Sequence, residues 1–248
     1  MSSPKPLETP AAGLPIRIRR QSLSNRIVHW LVALSTFALF FSGFGQMPMY
    51  ARYGLAGLPG MAWAADYGVT LVIHYLAGAV LTFAVIYHIV HALLTRRFTI
   101  LPRKGDFKES VQIIAAMLGR GQEPPSHKYL AEQRLAYAYI GLNTLVIVVT
   151  GIVKVAKNVP GASIDPALVF WSTTAHNAAA MLLLLGVIGH FAAFAIKANR
   201  ALLPAMFDGT VERAYAEHRH PLWYRQITVN PHTPLPDVAE TDVSTKAA

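Results

Sequence analysis

Six histidines of this chain lie in long apolar stretches, and two of them, His176 and His190, are fourteen residues apart. Fourteen residues advance about 21 Å along an α-helix and return to within about 40° of the starting face. Ionisable side chains within a membrane are costly and usually mark function. Neutral imidazole needs no counter-charge and is a common ligand of haem iron. The spacing therefore predicts ligands for two haem groups at two depths along one helix.

The composition of the chain indicates a membrane protein. Of its 248 residues, 53% are hydrophobic and only 14% are charged, whereas a soluble domain is about a quarter charged. Cysteine is absent, which excludes disulfides, thiolate-bound iron–sulfur clusters and covalently attached haem. Any haem is therefore expected to be of the non-covalent b type, which needs only axial ligands and a close-packed slot.

Four stretches are long and apolar enough to cross about 30 Å of hydrocarbon as helices. They cover approximately residues 27–45, 69–94, 135–155 and 170–196. None of them alternates as a β-strand would, and helices satisfy their own backbone hydrogen bonds in lipid. The predicted fold class is an all-α, multi-pass membrane protein, a four-transmembrane-helix bundle.

The basic residues predict how this bundle is oriented. All 22 Lys and Arg residues except Arg52, Lys154 and Lys157 lie before the first stretch, between the second and third, or after the fourth. By the positive-inside rule, both termini and the middle loop are cytoplasmic. The net charge of +9 is then a signal of topology, and no nucleic-acid partner is expected.

The membrane domain is predicted to cover residues 17–227. A Pro-rich, disordered extension at 1–16 precedes it, and a disordered tail at 228–248 follows it. Its C-terminal cytoplasmic segment, 197–227, is predicted to contain a polar helix that ends at Pro221.

The middle loop carries a second type of helix. Asp106 followed by Glu109 is typical of a helix start, and the apolar residues after it recur at helical spacing. The shared apolar face comprises Phe107, Val111, Ile114 and Leu118. We expect an amphipathic helix at about 106–119 that lies on the inner leaflet of the lipid bilayer.

The orientation of the spans sorts the histidines by depth. The second and fourth spans both run from outside to inside, so His74 and His176 lie at the outer level. His190, late in the fourth span, lies at the inner level with His29 at the start of the first. These two pairs could each supply two axial imidazoles, so the pattern predicts two b haems.

Spacing alone leaves alternatives open. His88 is also fourteen residues after His74 and lies at the inner level, so it competes with His29 as the inner ligand. His91, at the cytoplasmic margin, is expected to be interfacial. In a further alternative, the chain is a haem-free membrane anchor or small transporter whose histidines serve helix packing or proton relay.

Several runs of the sequence resemble a known family. They are NRIVHWLVALSTFALFFSG, IHYLAGAVL, HKYLAEQRLAY, VTGIV, the H-x13-H pair and GTVERAYAEHRHPLWYRQI. Together they are similar to the cytochrome b (gamma) subunit of membrane-bound formate dehydrogenases over residues 17–227. Cytochrome b subunits of nickel–iron hydrogenases share the four-span pattern more loosely. The HW histidine of the family is a haem ligand, so the resemblance favours His29 over His88.

The resemblance also implies a function. Such a subunit passes electrons from a periplasmic iron–sulfur subunit, through two haem b groups, to membrane quinone, either menaquinone or ubiquinone. The primary oxidation takes place on a separate molybdopterin or nickel–iron subunit. This implies a protein of the bacterial cytoplasmic (inner) membrane that acts in a multi-subunit oxidoreductase. Formate is the preferred upstream substrate; a hydrogenase, or a periplasmic reductase that oxidises quinol, is the alternative.

The family's quinone pocket lies at the start of the third span. The matching residues here, together with the inner haem ligand, are Lys128, Tyr129, Glu132, Gln133 and His190. This chain has Leu130 and Glu132 where the formate dehydrogenases commonly have Asn and Gly. Either Glu132 or His127 is expected to deliver a cytoplasmic proton to the quinone.

Overall fold

The computed structural model describes residues 16–229, which contain all four expected spans. The predicted extension at 1–16 and tail at 228–248 therefore lie almost entirely outside the described residues. The α-helices are α1 (Leu23–Gln46), α2 (Met49–Arg52), α3 (Tyr67–Thr95), α4 (Asp106–Met117), α5 (Ala131–Ala156), α6 (Pro166–Ala192), α7 (Lys197–Arg200), α8 (Pro204–Phe207), α9 (Arg213–Arg219) and α10 (Pro221–Val229). The two strands are β1 (Arg17–Arg19) and β2 (Thr210–Glu212).

Four of these helices, α1, α3, α5 and α6, are long and apolar enough to cross a membrane. Many large apolar side chains on their outer faces are exposed. In water such a surface would be a liability, whereas in a bilayer it faces hydrocarbon. The prediction of four membrane-spanning helices is confirmed.

Polar caps explain why the helices begin earlier than the apolar stretches do. Ser22 Oγ accepts a hydrogen bond from the backbone N–H of Asn25, and Asp66 Oδ1 accepts one from Val69. Asp165 Oδ1 caps α6 in the same way, and Pro166 occupies its first helical position. Such residues satisfy N–H groups that have no intrahelical partner, so each helix extends into the polar flank.

The bundle consists of two antiparallel hairpins. Helix α1 packs along α3, and α5 packs along α6, while α3 and α5 contact each other between the hairpins. Small residues permit the close approach within each hairpin. A Cβ at Gly45 would lie 2.6 Å from Thr70 Cγ2, and one at Gly186 would lie 2.8 Å from the ring of Tyr139. We refer to the end where α1 begins and α6 ends as the basic end.

The basic end differs from the predicted all-α arrangement. Strand β1 pairs antiparallel with β2, and Ile18 lies opposite Val211. The predicted single helix ending at Pro221 is therefore replaced by β2, α9 and α10, and Pro221 begins α10. Proline lacks an N–H and fits the first position of a helix, where none is needed. The pairing of β1 with β2 joins two distant segments, so no local periodicity could indicate it.

Helix α4 lies in the middle loop, close to the predicted bounds. Its predicted apolar face is exposed, while Ile113 on another face is buried against Leu130 and Ala131. The exposed apolar side chains are Phe107, Val111, Ile114 and Leu118. Helix α4 is thus attached to the start of α5 by one face and presents a second apolar face outward.

A buried ion pair joins α4 to α5. Arg134 donates from Nη2 to Asp106 Oδ1 at 2.5 Å and from Nε to Asp106 Oδ2 at 2.8 Å. Both side chains are less than 5% exposed. Burial alone would raise the pKa of Asp106, but hydrogen bonds from Arg134 and from the backbone N–H of Arg103 bring it below its ordinary value.

We expect Asp106→Asn to destabilise the protein by about 3 kcal/mol, because it removes the closer and more deeply buried of the two carboxylates that face the Arg134 guanidinium. Thermal unfolding in detergent measures this. The matched control is Glu109→Gln, since Glu109 lies 3.5 Å from the same guanidinium but is 32% exposed. Its cost should stay below about 1 kcal/mol.

The ion pair between Asp106 and Arg134 also makes the stability of the protein depend on pH in a predictable direction. The pKa of Asp106 is lower in the folded state than in the unfolded state. The pair therefore contributes stability above the unfolded pKa, and that contribution is lost as the pH falls through the folded pKa. Acid should lower the unfolding temperature of the wild type more than that of Asp106→Asn; equal slopes would contradict this account.

Candidate functional site

The first histidine pair lies between the two hairpins, near the end opposite the basic end. His74 of α3 faces His176 of α6, with ring centroids 6.3 Å apart and ring planes inclined by 57°. Each imidazole is supplied by a different hairpin. The pair therefore bridges the two halves of the bundle.

The second pair lies near the basic end. His29 of α1 faces His190 of α6, with ring centroids 6.4 Å apart and ring planes inclined by 52°. Because His176 and His190 share α6, the two pairs are separated by about 21 Å along that helix. The structure thus brings together the four histidines that the sequence grouped by depth.

The spacing within each pair suits two imidazoles on opposite sides of one metal ion. A bond between a metal and an imidazole nitrogen is about 2.0 Å, and the ring centre lies about 1.1 Å behind that nitrogen. Two opposed ligands would then have centroids about 6.2 Å apart, which agrees with both observed separations. Either pair could therefore hold a haem iron by axial imidazoles.

Hydroxyl groups fix the tautomer of the first pair. His74 Nδ1 lies 2.9 Å from Ser42 Oγ, and His176 Nδ1 lies 2.9 Å from Thr150 Oγ1. Both hydroxyls donate their own protons to backbone carbonyls one turn earlier, at 2.7 Å and 2.6 Å respectively. They therefore accept from Nδ1–H, which leaves the lone pair of each Nε2 free for a metal.

A glycine follows each of these hydroxyl residues. A Cβ at Gly43 would lie 3.6 Å from His74 Cε1, and one at Gly151 would lie 3.5 Å from His176 Cε1. A Cβ would already be in contact, so a larger side chain would displace the imidazole. The same Ser/Thr-Gly arrangement thus occurs once in each hairpin. The spacing of the histidines did not indicate these dipeptides, although they are visible in the sequence as FFSGFG and VVTGIV.

The second pair is held in a different way. Among the described residues, His29 Nδ1 is buried and has no hydrogen-bond partner. The His29 ring meets the edge of Trp30 at 5.4 Å, and Trp30 Nε1 donates to the carbonyl of Met206 at 2.9 Å. His190 contacts the rings of Phe191 and Phe194 edge-on. Aromatic packing, rather than hydroxyl groups, orients these imidazoles.

The two remaining membrane histidines have other partners. His88 Nε2 lies 2.8 Å from the hydroxyl of Tyr137 on α5. His91 stacks on Tyr87 with centroids 5.8 Å apart. His29, rather than His88, lies opposite His190, so the geometry favours His29 as its partner.

Four of the five residues expected to contact quinone lie around the start of α5, whereas the fifth, His190, lies on α6 opposite His29. Gln133 Oε1 accepts from the backbone N–H of Leu130 at 3.3 Å and so caps the helix. The Lys128 ammonium lies 5.4 Å from the centre of the Tyr129 ring, and burial is the main cause that lowers the pKa of Lys128. Glu132 Oε2 is buried and has no partner among the described residues. Glu132 is therefore the member of this group with a free acceptor.

The family comparison extends over most of the chain. A family model described as prokaryotic cytochrome b561 matches residues 20–209. This range includes both histidine pairs, both Ser/Thr-Gly dipeptides and the start of α5.

Two bacterial proteins illustrate the similarity. A formate dehydrogenase cytochrome b556 subunit from Haemophilus influenzae is 26% identical over 216 residues, which cover 85% of this chain and 83% of that protein. The cytochrome b556(Fdn) subunit of the nitrate-inducible formate dehydrogenase from Escherichia coli is 24% identical over 216 residues, with 85% and 91% coverage. With its four apolar helices and its matched residues, the chain belongs to the prokaryotic cytochrome b561 family.

Proposed function

We propose that this chain is the membrane electron-transfer subunit of a respiratory formate dehydrogenase, and that it passes electrons through two b haems to membrane quinone. The observation that carries the proposal is the presence of two opposed histidine pairs, each spaced for axial ligation of one iron. The names of the relatives favour formate over hydrogen as the upstream substrate.

In this proposal His74 and His176 hold the outer haem, and His29 and His190 hold the inner one. Each bound haem supplies a one-electron redox centre. The protein supplies the positions of the ligands, the hydrogen bonds that tune them and an apolar surrounding that excludes water. Ser42 and its counterpart Thr150 keep Nε2 of the outer histidines unprotonated and aimed at the metal.

The chain would receive electrons at the end opposite the basic end. It contains no cysteine, so iron–sulfur clusters must reside on a partner subunit. Exposed aromatic side chains of the first loop, Tyr53, Trp63 and Tyr67, could contact a periplasmic iron–sulfur subunit. The catalytic subunit, with molybdopterin, would lie beyond it. The distribution of Lys and Arg supports an inner-membrane protein with both termini in the cytoplasm.

Quinone would bind near the basic end, at the start of α5. Reduction of one quinone consumes two electrons and two protons, and the protons would enter from the cytoplasm. Glu132 has a free, buried carboxylate oxygen there, whereas Gln133 already caps the helix. We therefore assign proton delivery to Glu132 and hydrogen bonding or positioning to Lys128 and Tyr129.

A haem-content measurement tests the ligand assignment. The purified wild type should show two b-type haems after dithionite reduction, and His29→Ala should lose about half of the haem because one of its two pairs is broken. His88→Ala is the matched control and should retain both haems. A wild-type protein without a haem spectrum, or loss of haem only in the His88 variant, would overturn the assignment.

The donor can be tested in membranes that contain the intact complex. Formate should reduce both haems, whereas hydrogen should reduce neither, because the relatives are subunits of formate dehydrogenases. Absorbance in the haem α-band measures this. Reduction by hydrogen alone would instead indicate a nickel–iron hydrogenase, and oxidation of reduced haem by a periplasmic acceptor would indicate a quinol-oxidising reductase.

From the hydrogen bonds that Ser42 and Thr150 accept, we predict an effect of these two residues on the midpoint potential of the outer haem. Loss of an acceptor for Nδ1–H makes an imidazole a poorer donor to oxidised iron, so Ser42→Ala and Thr150→Val should raise the midpoint potential of the outer haem. A hydrogen bond worth about 1 kcal/mol corresponds to a shift of up to about 40 mV for one electron. A redox titration resolves it.

Ser35→Ala provides the control for this experiment. Ser35 is also buried in α1 and donates to a backbone carbonyl at 2.6 Å, like Ser42, but it lies two turns away from the Ser42 position. Its removal should leave both potentials unchanged. An unchanged outer potential in Ser42→Ala and Thr150→Val, with full haem content, would contradict the role of the hydroxyls.

A further inference from the structure

Nine buried side-chain atoms of the described residues have no hydrogen-bond partner, and six of these atoms belong to residues grouped around the start of α5. These six atoms are Arg20 Nη1, Glu132 Oε2, Tyr215 OH, Arg219 Nη2, His220 Nε2 and Trp223 Nε1. We call these six residues the polar cluster. About nine in ten buried polar groups in proteins are hydrogen-bonded. So many unpaired atoms in one region therefore indicate partners that are not protein atoms.

The members of the polar cluster are neighbours. The Arg20 guanidinium lies 5.2 Å from the centre of the Trp223 ring. The His220 ring lies 6.1 Å from that of Trp223 and 5.6 Å from that of Tyr215. Glu132 is close enough to interact electrostatically with Tyr215. The six residues thus form one cluster rather than separate sites.

One side of the polar cluster leads to the protein surface. Arg219 interacts electrostatically with Glu132, and its Nε donates to Glu123 Oε1 at 2.9 Å. The Arg219 side chain is 5% exposed, whereas that of Glu123 is 29% exposed. The cluster therefore connects a surface carboxylate to the buried carboxylate at the start of α5.

The unpaired atoms include both donors and acceptors. His220 Nδ1 lies 2.7 Å from the carbonyl of His127, which can only accept, so Nδ1 carries the proton. Burial, together with the nearby charge of Arg20, lowers the pKa of His220 to about 3, so its ring is neutral and Nε2 accepts. Glu132 Oε2 also accepts when ionised, whereas both guanidinium groups and the Trp223 indole donate.

Because the polar cluster has both unpaired donors and unpaired acceptors, it can satisfy only some kinds of bound molecule. A bound anion would be opposed by the Glu132 carboxylate and by the lone pair of His220 Nε2. A bound cation would be opposed by the charges of Arg20 and Arg219. Water both donates and accepts, and a buried water usually makes about three hydrogen bonds. Water is therefore the ligand that the atoms of the polar cluster can satisfy.

We propose that the polar cluster holds a chain of internal water molecules, which carries protons from the surface at Glu123 to Glu132. The proposal rests on the proposed quinone-reducing function. For each quinone reduced, Glu132 releases two protons in turn and regains each one from the adjacent water, which is reprotonated from the cytoplasm. Arg20 and Arg219 stay charged and hold the water in place. Their charges would repel an excess proton, but they stabilise the proton-deficient water that each transfer to Glu132 leaves until it is reprotonated from the surface.

The proposal also gives a role to the unexpected elements at the basic end. Arg20 directly follows β1, and its Nη2 donates to the carbonyl of Lys128. Tyr215 lies on α9, and Trp223 lies on α10. The pairing of β1 with β2 thus brings the N-terminal and C-terminal segments together around the start of α5. This arrangement groups polar side chains that no single segment could bring together.

The kinetic test uses the intact complex. Tyr215→Phe removes one hydroxyl and keeps the ring, and Glu132→Gln removes the proton-carrying group. We expect the rate of quinone reduction to fall about 100-fold in Glu132→Gln, at the lower end of the range for positioned acid–base groups. Tyr215→Phe should have a smaller effect, about tenfold, because it removes only a group that holds water. Reduction of the haems by formate should keep its wild-type rate in both variants.

Tyr224→Phe is the matched control. Tyr224 lies on α10 and packs against the buried group that contains Trp223, but its hydroxyl is not among the unpaired atoms. This variant should reduce quinone at the wild-type rate. Wild-type quinone reduction in both Tyr215→Phe and Glu132→Gln would overturn the relay and leave the electron-transfer function intact. Failure of formate to reduce haem in the wild type would instead overturn the proposed function.

A second measurement does not depend on activity. A high-resolution experimental structure of the complex should show ordered water within hydrogen-bond distance of most of the six unpaired atoms. Tyr215→Phe should lose the water nearest to the removed hydroxyl. A cluster whose polar atoms are paired directly with one another, with no water between them, would overturn the proposal even if the variants are slow.

Discussion

The arrangement of the bundle depends on the opposition of imidazoles from different hairpins at about 6.3 Å. Two neutral rings gain little by facing each other across such a gap in an apolar interior, and the gap is too wide for a direct hydrogen bond. A metal with two nitrogen ligands fits this separation. The hairpins can therefore be loosely packed against each other while each is closely packed within itself.

The two histidine pairs experience different electrostatic surroundings. At the pair of His74 and His176, Ser42 and Thr150 accept hydrogen bonds from the imidazoles, which would make the rings better donors to an oxidised iron. The Lys154 ammonium also interacts electrostatically with His74 and His176, and its charge would favour the reduced state of an iron between them. At the inner pair, aromatic rings surround His29 and His190 instead. Two b haems held by these two pairs would thus differ in midpoint potential.

The basic end combines a rigid attachment with an incompletely paired interior. The ion pair between Asp106 and Arg134 fastens α4 to the start of α5, and every polar atom of that carboxylate is used. Two residues before Arg134, Glu132 presents an oxygen that has no hydrogen-bond partner within residues 16–229. In the first turn of α5, Arg134 therefore stabilises the fold, whereas Glu132 has an oxygen available for proton transfer.

The sequence by itself determined the four spans, since a stretch of about 20 apolar residues has few alternatives to a membrane helix. It also determined the spacing of His176 and His190 and their grouping by depth, because helical geometry is regular. Only the tertiary structure brought His29 opposite His190 and His88 next to Tyr137. The β1–β2 pairing, the hydroxyl bonds to the outer histidines and the polar cluster likewise join residues far apart in the chain. Such contacts depend on how helices rotate and pack against each other, which the periodicity of one segment does not specify.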